Sequence, residues 1–318
     1  MTSTGFEVLT MGRVGVDVYP EQVGVGLEDV ETFRSYLGGS PTNVAVAAAR
    51  HGHRAATITR VGDDPFGRLV RRSFAHYGVD DRFLSESPGR QTPVTFCEMF
   101  PPDDFPIYFY RSGAPDLTLA PEDLDLEAVA AADVFWATVT GLSTEPSRSA
   151  TLAALAARSR SRHTILDLDY RPTLWPSRED ARRHVREAMR HVDVVVGNPD
   201  EFDTAVGMRD PKAAAQAALD AGVALAIVKR GPEGVLALDA DGFVDVPAIR
   251  VVVVNGLGAG DGFGGALCHG LLAGWPLERT LRFGNAAGAI VATKIACSAA
   301  MPTSAEVEQL LAEVADGR

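Results

Sequence analysis

Cysteine is scarce in this chain of 318 residues: Cys97, Cys268 and Cys297 are widely spaced and include no Cys-x-x-Cys pair, which points to a reduced compartment. Long apolar runs are also missing. No 18-residue apolar stretch occurs, and Met1 to Glu7 carries no basic patch leading into an apolar segment, so a cytoplasmic protein is expected. Positive charge is in deficit, with 30 Lys and Arg against 42 Asp and Glu and a formal net charge of -12. That argues against general nucleic-acid or anionic-membrane partners, while a few local arginines could still hold an anionic substrate. The chain contains no Gly-Lys pair, which excludes a Walker A phosphate loop.

What is present centres on Asn255-Gly256-Leu257-Gly258-Ala259-Gly260-Asp261-Gly262-Phe263-Gly264-Gly265. It follows the β-branched run Ile249 to Val254, which predicts a strand, and precedes the small-residue segment Ala266 to Ala273, which predicts a helix. Strand, glycine turn and helix together present bare N–H groups at the positive end of a helix, a seat for an anion. Asp261 is out of place there, because a carboxylate repels phosphate unless it takes a proton from whatever attacks the phosphate. Three readings compete. Gly260, Gly262 and Gly265 satisfy a dinucleotide G-x-G-x-x-G, but the acidic residue expected about 20 positions on falls near Asn285. A purely structural turn is the second, and phosphoryl transfer with Asp261 as base the third.

Read in order, the chain alternates strands and helices. Phe6 to Met11 predicts a first buried strand, leading through Gly12-Arg13-Val14-Gly15-Val16 to Asp17, which stands where α/β folds bind ligands. Val18 to Leu37 is polar and glycine-broken, like a flap. Gly38 and Gly39 then open a helix, with Ser40 as its expected N-cap, Pro41 in its first turn and Asn43 able to read a hydroxyl. The Asp63-Asp64 pair is expected to cap the next helix.

Thr92 to Phe100 and Pro106 to Tyr110 predict a hairpin that breaks the βα rhythm and resembles a water-excluding lid. Beside its end, Arg111 could grip a carboxylate. The basic run Arg158 to His163 is expected to face solvent at a helix C-terminus. Further strand ends deliver Asp167, Asp169 and Arg171, then Asn198 with Glu201, then Lys229, Gly231 and Gly234. Asn198 and Glu201 could hold a hydrated Mg²⁺ through water, or Asn198 could simply cap a helix. The architecture expected is a doubly wound, mostly parallel sheet over one domain, 1–318, with lid insertions at about 14–37 and 91–112.

These pieces resemble the ribokinase-like (PfkB) carbohydrate kinases over essentially the whole chain. Gly38-Gly39 with Asn43, Ala45, Gly52 and Gly62 is similar to the family's first signature, and Gly258-Ala259-Gly260-Asp261 with Gly265 and Ala266 to its second. The resemblance implies a ribokinase-like α/β fold with a β-lid and ATP-dependent phosphorylation of a sugar hydroxyl. It makes Asp261 the base and Gly258, Ala259 and Gly260 the anion hole. It implies sugar contacts from Asp17, Gly38, Gly39, Asn43, Tyr110, Arg111 and Arg171. ATP would lie along Asp169, Asn198, Lys229, Gly231, Gly234, Gly258, Gly260 and Asn285, with Mg²⁺ at Asn198 and Glu201 through water. A monovalent cation and a homodimer through the lid are further expectations; Asn255-Gly256, where the family often has Asp-Thr, puts a cation role of that position in doubt.

Tyr110-Arg111 and Asp169-Tyr170-Arg171-Pro172 resemble family members acting on 2-keto-3-deoxygluconate. The stretches at 12–20, 100–106 and 297–303 are similar to the branch acting on 5-dehydro-2-deoxy-D-gluconate in inositol catabolism. Fructokinase is the other rival specificity, and a catalytically silent sugar sensor the rival class.

Overall fold

The computed structural model describes residues 5–158 and 163–316. Two sheets organise it. The larger carries ten strands: β1 (Val8–Met11), β4 (Ala55–Gly62), β5 (Val79–Asp80), β6 (Leu84–Ser87), β9 (Val134–Thr138), β10 (His163–Asp167), β11 (Val194–Gly197), β12 (Leu225–Lys229), β13 (Val235–Asp239) and β14 (Gly242–Val246). The smaller has four: β2 (Gly15–Pro20), β3 (Phe33–Gly38), β7 (Val94–Cys97) and β8 (Ile107–Tyr110). The helices are α1 (Ser40–Arg50), α2 (Pro65–Tyr77), α3 (Leu126–Ala131), α4 (Ser147–Ala157), α5 (Arg178–Met189), α6 (Pro199–Val206), α7 (Pro211–Asp220), α8 (Ala259–Leu272), α9 (Leu277–Ala292) and α10 (Ser304–Ala315).

In the large sheet the order is β14-β13-β12-β11-β10-β9-β1-β4-β5, with β6 beside β4. Pairing is parallel from β12 through β1 to β4, and antiparallel only in β12-β13-β14. Parallel strands buried on both faces read as unbroken apolar runs, as β9 (VFWAT) does. Alternation sends Leu9 and Phe135 into one core layer and Val8, Val134 and Trp136 into the other. From β1 the chain builds outward to β4 on one side and later to β9 on the other. The crevice at such a reversal, beyond the strands' C-terminal ends, is where open α/β sheets bind ligands.

The two glycine motifs meet because α1 and α8 pack closely. A Cβ on Gly265 would stand 2.2 Å from Ala47 Cβ, and one on Gly264 would stand 2.8 Å from the Trp136 ring. Those bare positions let α8 settle onto α1 and β9, which fixes where its first turn points.

Three local expectations need correction. Ile249 to Val254 forms no strand; its alternation is real, but Ile249, Val251 and Val253 line a cavity while Val252 is 84% exposed. Ser40 does not cap α1: Gly39 holds the N-cap position and the Ser40 hydroxyl is engaged elsewhere. Arg158 does not face solvent. It is fully buried, donating to the carbonyls of Val129, Ala130 and Ala132 at the end of α3, where a cation suits the helix dipole. Residues 159–162 of that basic run lie outside the described residues. Asp64 does cap α2, accepting from Gly67 N at 2.7 Å.

Candidate active site

A cavity of about 1120 Å³ opens at the C-terminal edge of the large sheet, against the small sheet. That exceeds the ~300–1,000 Å³ of a pocket for one small molecule, so two ligands have room. Its wall includes Asp17, Gly39, Asn43, Asp169, Arg171, Asn198, Glu201, Lys229, Gly231, Gly234, Asn285 and the turn Gly258 to Asp261.

The first turn of α8 is the centre. Gly258 takes the left-handed conformation (φ 81°, ψ -10°), which a side chain would resist, and a Cβ there would also strike Cys297 at 2.7 Å. The amides of Ala259 to Asp261 follow, with no helical carbonyl ahead of them to accept their hydrogens. Asp261 accepts from Ser40 Oγ and from Asn43 Nδ2, each at 2.8 Å. Both donors come from the first turn of α1. Gly39 makes that approach feasible: its φ is +106°, and a Cβ would lie 2.4 Å from Arg13 O.

Burial raises the pKa of Asp261, and the hydrogen bonds from Asn43 and Ser40 offset part of that rise. A carboxylate that is held by two donors, bordered by cavity and made more basic by desolvation suits proton acceptance. Asp17 faces the same cavity from β2. Burial pushes it up to about 6 against the pull of Arg13. Gly38 is off the cavity wall but makes room for it, since a Cβ there would overlap the Asp17 carboxyl group at 2.2 Å.

Below α8, charges interlock. Lys229 Nζ is 3.8 Å from Asp167 Oδ1 and 3.2 Å from where a Cβ on Gly260 would stand. Burial works against the Lys229 charge, but Asp167 and Glu201 more than offset it and raise its pKa. Burial pushes Asp167 up to about 7. It presses Asp169 upward too, but Arg171 and Arg13 outweigh it and hold Asp169 below the usual carboxylate range. Asn198 and Glu201 form a reciprocal helix cap: Asn198 N donates to Glu201 Oε2 at 2.7 Å, and Glu201 N to Asn198 Oδ1 at 3.0 Å. Asn285 lines the cavity and donates to the carbonyls of Val246 and Pro247.

Tyr110 and Arg111 are not brought to the cavity. Tyr110 is 69% exposed. Arg111 is buried and donates from Nη2 to Asp116 Oδ2 at 2.7 Å, so its charge is already matched by a carboxylate. Sequence reasoning gave no ligand-site role to Arg13, Asp167, Ser40 or Phe105, all of which line the cavity. Arg13 follows the first strand as Asp17 does, and that position was its available signal. Asn255 is fully buried, with its amide spent on Ile295 O and Leu257 N.

The chain belongs to the pfkB family of carbohydrate kinases, which it matches over residues 6–304. Its relatives include the 5-dehydro-2-deoxygluconokinase of Photobacterium profundum, 37% identical over 305 residues, covering 93% of this chain and 92% of the relative. The enzyme of that name from Geobacillus kaustophilus is 32% identical over 318 residues, covering 98% and 95%. In fold the chain is similar to an E. coli ribokinase II in complex with ATP and Mg²⁺, with a TM-score of 0.89 at 23% identity over 97% of this chain and 99% of that one. No helix among the described residues is long and apolar enough to cross a membrane.

Proposed function

We propose that this sugar kinase transfers the γ-phosphoryl group of ATP to the primary hydroxyl of 5-dehydro-2-deoxy-D-gluconate, with Asp261 as general base. The observation that carries the reading is the Asp261 carboxylate, oriented by Ser40 and Asn43, beside the first amides of α8 in a two-ligand cavity. The names of the relatives support the substrate, and a sugar acid suits a cavity bordered by three arginines, Arg13, Arg171 and Arg250.

In this account the sugar lies toward Asp17, Gly39 and Asn43, and the nucleotide along Lys229, Gly231, Gly234 and Asn285. The hydroxyl oxygen attacks the γ-phosphorus while its proton passes to Asp261. The new O–P bond forms as the bond to the bridging oxygen breaks, and ADP leaves. The amides of Ala259 to Asp261 meet charge on the transferring oxygens, and Lys229 adds a half-buried cation. One such anion-hole donor is worth roughly 3–4 kcal/mol in a transition state. The small sheet acts as a lid that excludes water.

Among the described residues no group of three or more His, Cys, Asp or Glu converges as a direct metal cage. Glu201, buried with one oxygen on Asn198 N, and exposed Asn198 at the cavity wall fit an Mg²⁺ ion that keeps its waters and binds phosphate. When bound, that ion screens phosphate charge. The test is a coupled ADP-release assay over acidic and neutral sugars, with and without EDTA. The reading predicts the highest kcat/KM on 5-dehydro-2-deoxygluconate and loss of turnover on chelation. Preference for a neutral sugar, or activity surviving full chelation, contradicts it.

A further inference from the structure

Arg13 has no part in the chemistry described so far, yet its side chain stands in the cavity wall. It leaves the turn after β1, and its Nη2 donates to Asp169 Oδ2 at 3.2 Å. The other oxygen of the same carboxylate pairs with Arg171 Nη2 at 2.6 Å. Two guanidinium groups therefore share one carboxylate; Asp17 and Asp261 also face Arg13, and Glu201 and Asp261 face Arg171, but the structure gives Arg13 no hydrogen bond to either of its two. Of the five N–H hydrogens on Arg13, one is used in that bond, and its buried Nε has no partner. The guanidinium also stands 5.5 Å from the Phe109 ring centroid, against a strand of the small sheet. Lys229 is committed to the other side, against Gly260 and Asp167.

We propose that Arg13, seated with Arg171 on Asp169, receives the carboxylate of the sugar acid and sets the preference for acidic over neutral sugars. The inference rests on the acid-sugar reading above. A planar fork with unmet donors beside a second guanidinium is the chemistry that recognises a carboxylate. Asp169 holds both arginines in place and occupies only one N–H of Arg13. The Phe109 contact ties Arg13 to the small sheet, so acid binding and lid position are coupled through one side chain.

The experiment compares full-length wild type with Arg13→Met and Arg13→Lys. It reads kcat/KM for 5-dehydro-2-deoxygluconate and for a panel of neutral sugars, KM for ATP, and thermal melting. Arg13→Met should lower kcat/KM for the acid by about 10²–10³-fold, the range for truncating one partner of a buried charge pair. Neutral sugars and KM for ATP should be nearly unchanged. Arg13→Lys, which keeps charge but not the fork, should lose about tenfold on the acid. Equal losses on acidic and neutral sugars would mean that Arg13 only props up Asp169, and would overturn the proposal. If Arg13→Met does not fold, Arg13→Lys with full wild-type acid preference overturns it. A wild type without acid preference brings down the substrate assignment and this inference together; an acid-preferring wild type whose preference survives in Arg13→Met removes Arg13 alone.

Discussion

Asn43 and Asp261 are 218 residues apart in sequence, yet the Asn43 amide donates to the Asp261 carboxylate at 2.8 Å. That bond joins the two glycine motifs and favours the ionised form of a carboxylate that burial pushes toward neutrality. Activity through a base is lost as pH falls through its pKa. Removing a donor to the anion raises that pKa, so Asn43→Ala should move the acidic limb of the kcat/KM profile to higher pH. A profile lowered uniformly, with its acidic limb unmoved, would show that Asn43 does not tune the base.

Arg111 yields a different expectation from the one its place in the sequence suggested. Its side chain and that of Asp116 are 6% and 4% exposed, and they pair at 2.7 Å. Arg111→Ala leaves a buried carboxylate unpartnered, which costs about 3–5 kcal/mol of stability. Thermal melting should record that loss, while the acid-to-neutral ratio of kcat/KM stays at the wild-type value in the folded variant. A collapse of that ratio without a loss of stability would return Arg111 to substrate recognition.

Far from the cavity, His51 stacks against His269 at 5.2 Å and lies 5.3 Å from the Phe283 ring. Burial lowers its pKa from 6.5 to about 3, assisted by His269, His53 and Arg50. The unfolded chain therefore binds the extra proton between those values, and stability falls as pH drops below about 6.5. His51→Phe keeps a ring in the stack and removes the titration. Unfolding free energies from urea titrations between neutral and mildly acidic pH should show a shallower slope, by up to about 1.4 kcal/mol per pH unit. An unchanged slope would assign the acid sensitivity to other groups.

The parallel core was legible because strands buried on both faces must be continuous apolar runs, as in Val134–Thr138 and Val194–Gly197. The motif glycines were legible because tight turns and close helix packing leave few substitutes, as at Gly39, Gly258 and Gly265. Partner choice was not legible. Neighbouring aromatics made Arg111 look like a ligand, but the decisive fact is a carboxylate five residues on that the 3₁₀ turn at Pro115–Thr118 brings beneath it. Ser40 has the profile of a helix cap, and only the arrival of α8 gives its hydroxyl an acceptor. Ile249 to Val254 has strand periodicity, but one side of it faces the cavity, and periodicity cannot distinguish a ligand wall from a neighbouring strand.

The most direct test of the account is the turnover of Asp261→Asn with the wild-type sugar and ATP. The amide keeps an oxygen for Asn43 or Ser40 and loses the capacity to accept the substrate proton. The account predicts little change in either KM and a fall in kcat of roughly 10²–10⁴, the range for losing a general base. Turnover close to wild type would contradict it.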